Sequence, residues 1–186
     1  MITEPIVGKY VILKIAEVSD AEFTLKLRTD PKLTKYIPKI QNTIEQQRAW
    51  IQSSRARDDE YFFVVWTVDG ERIGTISVFN IRGTLAEGGR LVLIGNGLEN
   101  FEAAMLLSDF SFNELGLSKI TGFIFPENKR SIRFNKQMGT VVCSPEKDDK
   151  WGLICKSYVT RELYAEARNE LCKLLYNDGM ILERKE

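Results

Sequence analysis

The sequence predicts a protein of the mixed α/β class, in which a mixed sheet carries helices on both faces. Short apolar runs rich in β-branched and aromatic residues indicate strands, and amphipathic runs with helix-capping signals lie between them. The runs follow the order strand, two helices, hairpin, strand, long helix, strand, helix, two strands and final helix. A sheet between two layers of helices is the simplest arrangement that buries the apolar face of every run.

The composition restricts both the size of the protein and its partners. Its 186 residues are 44% hydrophobic and 28% charged, which predicts one globular domain over residues 1–186 with a sizeable core. The 26 basic and 26 acidic residues cancel, so we expect no nucleic acid partner. No apolar run approaches the roughly 20 residues of a membrane helix, and the first residues lack the pattern of a signal peptide. We therefore expect a cytoplasmic protein with no membrane partner.

The chain lacks the residues on which many catalytic and metal sites depend. It has no histidine, which excludes Ser-His and Cys-His nucleophile pairs and most zinc sites. Its three cysteines, Cys143, Cys155 and Cys172, lack the close spacing of a metal site and are interpreted as small apolar residues. We expect no metal, and any acid–base chemistry must use carboxylates, Tyr, Lys, the backbone or water.

The first half of the chain predicts one strand, two helices and a hairpin. Each helix is indicated by a capping box, in which Glu or Gln lies three positions after a hydroxyl-bearing residue. The predicted elements are a strand over residues 7–13, a helix over about 20–28 capped by Ser19, a helix capped by Thr43, strands over 61–68 and 72–79 joined by Asp69-Gly70-Glu71, and a loop over 80–89.

The central unit is a strand, a loop and a helix between Arg90 and Leu117. Residues 90–94 form an apolar run that ends at Gly95-Asn96-Gly97, and apolar residues recur at helical spacing from Phe101 onward. A helix N-terminus favours anions, because its unpaired N–H groups and its dipole both point toward the ligand. The sequence therefore predicts an anion site here, and the anion that we expect is the pyrophosphate of a cofactor.

The last part of the chain predicts three strands and two helices. A strand and a short helix that ends at Met138-Gly139 are followed by an antiparallel strand pair and a closing amphipathic helix. The predicted bounds are 120–125 for the first strand, 140–143 and 151–159 for the pair, and Arg161 to Tyr176 within about 160–178 for the closing helix, which Asn177-Asp178-Gly179 ends.

This order of elements, with the residues found in them, resembles the GNAT superfamily of acyl-CoA-dependent N-acyltransferases. The resemblance extends from Gly8 to about Val159. Within the superfamily, the chain resembles the branch that acetylates ribosomal proteins and amino sugars. The segments that carry it are Leu27–Pro31 at the end of the first helix, Thr43–Ile51 in the second, Arg72–Ile76 in a strand, Asp109–Leu117 at the end of the long helix, and Asn128, Ser131 and Gly139 in the next helix.

The pyrophosphate loop and one catalytic position depart from the family's pattern. The family has glycines directly before its helix, whereas here they lie at 95 and 97, and Leu98 and Asn100 occupy the glycine-type positions. A bulky residue there obstructs close approach of the backbone to phosphate. The tyrosine that often acts as general acid is replaced by Asn135. These departures leave open a GNAT-fold binding or assembly module without catalysis.

The resemblance implies a central mixed, mainly antiparallel sheet and acetyl-CoA as the acyl donor. The pantetheine arm would pair with the central strand, and a backbone N–H near Ile94 would be the donor to the oxyanion. A Glu99 carboxylate beside pyrophosphate would be repelled unless it pointed away. The expected cofactor-binding residues are Leu93, Ile94, Gly95, Asn96, Gly97, Asn100, Phe101, Asn128 and Arg130.

The resemblance also implies where proton transfer takes place. Ser131 matches a candidate acid position, and its alternative is a first-turn residue with a local hydrogen bond. The base is less defined, because Glu127, Glu87 and Tyr61 are candidates only through their places near predicted strand ends. We carry Ser131 and Glu127 forward as the expected catalytic pair.

For the acceptor, the resemblance implies a small molecule with a primary amine. A branch of the superfamily that acts in bacterial surface-polysaccharide synthesis has a similarly short loop, so an amino-sugar nucleotide is the first expectation and a protein N-terminus the alternative. Arg28 and Trp50 are candidates to line the acceptor cleft, although Trp50 is first interpreted as a core residue. A homodimer is the assembly left open.

Overall fold

The computed structural model describes residues 4–176, which form one eight-stranded sheet with five α-helices. The strands are β1 Ile6–Val7, β2 Val11–Ile15, β3 Tyr61–Thr67, β4 Arg72–Arg82, β5 Leu85–Leu93, β6 Lys119–Ile124, β7 Val141–Asp148 and β8 Gly152–Thr160. The helices are α1 Ala21–Thr29, α2 Ile44–Arg55, α3 Gly97–Asp109, α4 Lys129–Gln137 and α5 Arg161–Tyr176.

The sheet follows the order β1-β2-β3-β4-β5-β6-β8-β7. Every neighbouring pair is antiparallel except β5 and β6, which are parallel. Parallel neighbours need a crossover, and α3 supplies it between β5 and β6. The predicted fold class, a mixed and mainly antiparallel sheet between helices, is confirmed.

Alternate residues of β3 show how both faces of the sheet are covered. Phe63 and Val65 pack into the larger core cluster, which contains residues of α3 and α5, whereas Phe62 and Val64 pack with Ile51 of α2 in a second cluster. Because both sets are buried, the strand is a continuous apolar run and not an alternating one. In the part of the chain that the structure describes, no helix is long and apolar enough to cross a membrane.

Two predicted boundaries in the sheet are wrong. The predicted strand over residues 7–13 is two strands, because the backbone turns around the buried carboxylate of Glu102, which accepts the N–H groups of Lys9, Tyr10 and Val11. The predicted loop over 80–89 is mostly strand. Gly83, with φ of 60°, lies in the two-residue connection of a hairpin between β4 and β5, so it marks a tight turn and not the middle of a long loop.

The helix starts show which capping predictions hold. The Thr43 capping box is present at the start of α2. The Ser19 prediction is wrong, because the box is formed by Glu17 and Asp20 around a short 3₁₀ turn that precedes α1. The bounds of α5 are confirmed from Arg161 to Tyr176. The predicted stop at 177–179 lies outside the described residues.

Candidate active site

A gap opens in the middle of the sheet between its two parallel strands. β5 and β6 pair only from Leu85 with Lys119 to Glu87 with Thr121. At the end of this ladder the backbones are close, since a Cβ on Gly122 would lie 3.3 Å from the carbonyl oxygen of Gly88. Beyond it, β5 continues with β4 as its partner and β6 with β8. Each strand therefore has one edge that faces the gap.

The backbone of Leu93 faces this gap. The N–H of Ile94 donates to the carbonyl of Ile73 in β4 at 2.9 Å, so it is not available as the oxyanion donor expected near this residue. Backbone groups alternate between the two edges of a strand, which turns the N–H and C=O of Leu93 away from β4. The Ile94 side chain is 51% exposed. At this end of β5 the backbone N–H that faces the gap is therefore that of Leu93.

The N-terminus of α3 lies at the end of β5 and is closed by a capping box. Oδ1 of Asn96 accepts the N–H of Glu99 at 3.1 Å, and Oε2 of Glu99 accepts the N–H of Asn96 at 2.7 Å. The first intrahelical bond runs from the N–H of Asn100 to the carbonyl of Asn96. The helix therefore begins four residues before the predicted Phe101, and helix geometry leaves the N–H groups of Gly97 and Leu98 for a ligand.

The Glu99 carboxylate accepts the N–H of Asn96 and so lies beside the unpaired N–H groups of this helix start. A Cβ on Gly95 would lie 2.6 Å from Oε2 of Glu99, so a glycine at this position allows the carboxylate to fold back onto the loop. The buried Asn100 donates from Nδ2 to the carbonyl of Gly95 at 2.8 Å, and its Oδ1 has no hydrogen-bond partner among the described residues. The side chains of Asn96, Glu99 and Asn100 thus hold the loop against the helix, although the sequence of this segment is typical of a flexible turn.

The start of α4 forms the other side of the site. Asn128 caps the helix, since its Oδ1 accepts the N–H of Ser131 at 3.1 Å. Nδ2 of Asn135 donates to the carbonyl and, at 3.3 Å, to Oγ of Ser131. The Ser131 hydroxyl can therefore donate its own proton elsewhere. Glu127 and Arg130 are exposed beside this turn.

An aromatic contact joins α3 to α4. The rings of Phe101 and Phe134 stack with centroids 4.8 Å apart, and both pack against the core on the α3 face, so α3 and α4 lie on the same face of the sheet. The two other candidates for a base lie elsewhere. The Tyr61 ring packs against Phe110 in the core on the α3 face. The Glu87 carboxylate accepts a hydrogen bond from Asn80 at the paired end of β5.

A cavity of about 190 Å³ lies on the opposite face of the sheet, beneath α1 and α2. Its walls come from separate elements, and the residues include Arg28, Gln47, Trp50, Phe62, Thr75 and Arg90. Trp50 lines this cavity and also packs edge-on against Phe62, with ring centroids 5.0 Å apart, so the core interpretation holds and the acceptor-cleft interpretation stays a prediction. Arg28 lines the cavity as expected, whereas sequence reasoning did not identify Arg90, Gln47 or Thr75.

Arg90 reaches the cavity because β5 contains a bulge. Thr75 pairs with Val92 and Ser77 with Gly89, which leaves two residues of β5 opposite one of β4. Arg90 has φ of 50°, a left-handed conformation uncommon for a residue with a side chain. The Thr75 hydroxyl donates to the carbonyl of Arg90 at 2.9 Å and the Ser77 hydroxyl to that of Gly89 at 3.1 Å. These two hydroxyls bond carbonyls that the bulge displaces from the ladder.

Fold and site together define the class of acyltransferases whose sheet opens between two parallel central strands. Residues 11–141 match the family described as Acetyltransferase (GNAT) domain, and the chain belongs to this family. It is 32% identical over 150 residues to Probable N-acetyltransferase YjcK of Bacillus subtilis (strain 168), which covers 71% of this chain and 81% of that protein. The protein is therefore an enzyme, an N-acetyltransferase of the GNAT superfamily.

Solved structures share the fold over nearly the whole chain. Apo FdhC, described as a nucleotide-linked sugar GNAT, matches with a TM-score of 0.76 and 23% identity over 95% of this chain and 98% of its own. Spermidine N-acetyltransferase from Vibrio cholerae in complex with CoA and spermine matches with a TM-score of 0.76 and 18% identity over 85% of this chain and 99% of its own. At these identities the matches establish the fold.

The residues at the gap fit the acetyl-CoA that the family uses as donor. An extended amide arm needs an open strand edge, and Leu93 presents one. A pyrophosphate needs unpaired N–H groups at a helix N-terminus, and Gly97 and Leu98 have them. Leu98 is 39% exposed on the first turn. One feature opposes the fit, because the carboxylate of Glu99, which accepts the neighbouring N–H of Asn96, would repel a phosphate bound at Gly97 and Leu98 unless it swings away.

Proposed function

We propose that this enzyme transfers the acetyl group of acetyl-CoA to the primary amine of a small acceptor, with an amino-sugar nucleotide as the leading acceptor class. The observation that carries the proposal is the gap between β5 and β6, which joins an open strand edge to a helix N-terminus. Nine expected cofactor residues stay part of this proposal: Leu93, Ile94, Gly95, Asn96, Gly97, Asn100, Phe101, Asn128 and Arg130.

The donor and the acceptor approach β5 from different sides. The donor lies along the edge of β5 at Leu93, and the cavity borders the same strand at the Arg90 bulge, two residues before Val92. An acceptor in the cavity therefore reaches the thioester from the face that carries α1 and α2. Such an arrangement supports direct attack by the amine, since both substrates are held at one point of one strand.

Acetyl-CoA supplies an activated acetyl group: attack by the amine forms the C–N bond and a tetrahedral oxyanion, whose collapse breaks the C–S bond and releases the thiolate. The backbone N–H of Leu93 faces the gap and is proposed to stabilise the oxyanion, a contribution of roughly 3–4 kcal/mol to the barrier. The Ser131 hydroxyl gives its proton to the leaving thiolate, while Asn135 holds Oγ in place. Glu127 receives the amine proton through a water, and Ser131 regains a proton from solvent.

Two neighbours support different acceptors for this fold. FdhC is described as a nucleotide-linked sugar GNAT, which agrees with the leading class. The Vibrio cholerae structure contains spermine, and its name gives spermidine as acceptor. The proposal follows the first of these, because the cavity is lined by two guanidinium groups and a polyamine is a cation.

The test is release of free CoA thiol in the presence of acetyl-CoA and a panel of amines. The panel contains an amino-sugar nucleotide, the free amino sugar, spermidine and a peptide with a free N-terminus. We expect acetyl transfer to the amino-sugar nucleotide and CoA binding in the micromolar range by titration calorimetry. Absence of binding at millimolar CoA would overturn the donor site. Transfer only to the peptide would replace the small acceptor with a protein N-terminus.

A further inference from the structure

The cavity beneath α1 and α2 contains two guanidinium groups whose hydrogen bonds are incomplete. Nη2 of Arg28 donates to the carbonyl of Pro38 at 2.9 Å, and Nη2 of Arg90 lies 3.3 Å from Oε2 of Glu60. In the described part of the chain, the buried Nε of Arg28 and Nη1 of Arg90 have no hydrogen-bond partner. Both arginines line the same cavity, and each has one buried donor that no described group accepts.

The charges around this cavity do not cancel. Glu60 is buried, and its carboxylate is shared among Arg90, Arg57 and the Ser54 hydroxyl. Within residues 4–176, Arg28 forms no ion pair. Burial lowers the pKa of Arg28, and the nearby charge of Arg90 lowers it further. A pair of like charges in a water-poor space is unfavourable until an opposite charge joins them.

The Arg90 side chain is held in one orientation. Its guanidinium lies 4.3 Å from the ring centre of Phe79 and 5.0 Å from that of Trp50, and the group is only 22% exposed. Contact with these two rings restricts the orientation of the Arg90 guanidinium, so the direction of its unpaired N–H is restricted as well. A planar, oriented guanidinium is suited to a carboxylate or phosphate, which it binds through two parallel hydrogen bonds.

We propose that the acceptor carries an oxyanion, a carboxylate or a phosphate, which Arg28 and Arg90 bind together while its amine points to β5. This inference rests on the proposed function, since it names the chemical class of substrate for that site. The cavity of about 190 Å³ admits the acidic group and the amine-bearing unit, and the rest of an amino-sugar nucleotide would extend beyond it.

Two arginines in the cavity would bind acidic, neutral and cationic amines with different affinity. An acidic amine gains two charge-assisted contacts and supplies the charge that Arg28 lacks. A polyamine such as spermidine would place a cation against two guanidinium groups, which is repulsive. A neutral amine leaves the buried donors unsatisfied. The order of acceptors should therefore be acidic amine first, then neutral amine, then polyamine.

The first experiment measures kcat and KM for matched acceptor pairs with saturating acetyl-CoA. The pairs are glucosamine 6-phosphate with glucosamine, and alanine with alaninamide, which distinguish phosphate from carboxylate. We expect the acidic member of at least one pair to have kcat/KM about tenfold to a hundredfold higher, as bonds to charged groups allow, mainly through KM. Equal values within both pairs, or spermidine as the best acceptor, would overturn the inference.

The matched variants are Arg28→Gln, Arg28→Lys and Arg48→Gln. Arg28→Gln should raise KM about tenfold or more for the acidic acceptor and leave the neutral one within about twofold, as expected for a lost charge-assisted contact. Arg28→Lys keeps the charge without the fork and should lie between. Arg48 is exposed on α2, and Arg48→Gln should retain the preference. If Arg28→Gln does not fold, Arg28→Lys decides the question.

A binding experiment without acetyl-CoA separates this inference from the proposed function. Inorganic phosphate and acetate are titrated separately into the wild-type protein and the Arg28 variants, with the thermal midpoint as the readout. Stabilisation by either anion that is lost in Arg28→Gln supports the anion site, even if no amine releases CoA and the proposed function fails. Acetyl transfer with equal use of acidic and neutral amines, and no anion effect, overturns the anion site alone.

Discussion

Replacing Glu99 by Gln should tighten CoA binding, although it changes no residue that contacts the cofactor favourably. The Glu99 carboxylate now accepts the N–H of Asn96 at 2.7 Å, at the helix end that offers the N–H groups of Gly97 and Leu98. A phosphate bound to those groups would lie near the carboxylate, and two unit charges about 4 Å apart in water repel by about 1 kcal/mol. The capping box accepts Gln as well as Glu, so α3 keeps its start.

The magnitude follows from the charges. Two phosphates carry about two negative charges, so removing the carboxylate should contribute about 1–2 kcal/mol, or about fivefold to thirtyfold in Kd. Loss of the favourable interaction between Glu99 and the helix dipole should lower the free energy of unfolding by about 0.3–1 kcal/mol. Affinity and stability should therefore change in opposite directions.

Titration calorimetry with CoA at low and high salt measures this effect. At about 1 M salt the screening length falls to about 3 Å, so the wild-type and Glu99→Gln affinities should converge. The control is Glu162→Gln, which removes an exposed carboxylate from the first turn of α5, beside the paired end of β6. Equal affinity of Glu99→Gln and the wild type at low salt would show that phosphate does not bind at the start of α3.

Three further outcomes are expected. Asn128→Ala and Asn128→Ser should both weaken CoA binding about tenfold, because each loses the contact of the amide with the cofactor. Only Asn128→Ala should also lose the helix cap, which contributes roughly 1 kcal/mol to stability. Unchanged calorimetric Kd values in both variants would show that Asn128 only caps α4. Glu102→Gln should lower the free energy of unfolding in urea by about 3 kcal/mol, because the amide would turn an N–H toward the donors around it, including Tyr176. Burial raises the pKa of Tyr164 and of Tyr176, so their contribution to stability holds below about pH 10, the ordinary pKa of Tyr, and is lost above it. The thermal midpoint should fall less steeply above this pH in Tyr164→Phe than in the wild type.

Elements with a strong local signal could be predicted from the sequence. The β3–β4 hairpin is indicated by Asp69-Gly70-Glu71, and α5 by its apolar face, and both are present. The start of α3 was predicted too late for a local reason. Asn96 and Glu99 form a capping box, but Gly95 and Gly97 around Asn96 look like breakers, so the segment was interpreted as a loop.

The cavity could be predicted only in part, because its residues come from five elements with no common period. Arg28 and Gln47 are separated along the chain by the whole α1–α2 connection, and only the fold brings them together. The sequence contains no signal for a bulge either. Gly88-Gly89 before Arg90 was interpreted as the end of a loop, whereas both glycines lie within β5.

The bulge in β5 connects the two halves of the proposed site. Before it, Ala86 packs into the core on the α3 face, and after it Leu91 and Leu93 pack against the same core. Even-numbered side chains thus face α3 before the bulge and odd-numbered ones after it, because one extra residue reverses the alternation. Without this reversal, Arg90 would point into the apolar core as an unpaired charge. With it, the guanidinium enters the cavity while Leu93, three residues later, turns its backbone to the gap. A single inserted residue therefore places the Arg90 side chain at the cavity and the Leu93 backbone at the gap on one strand, which is the arrangement that the proposed acidic acceptor requires.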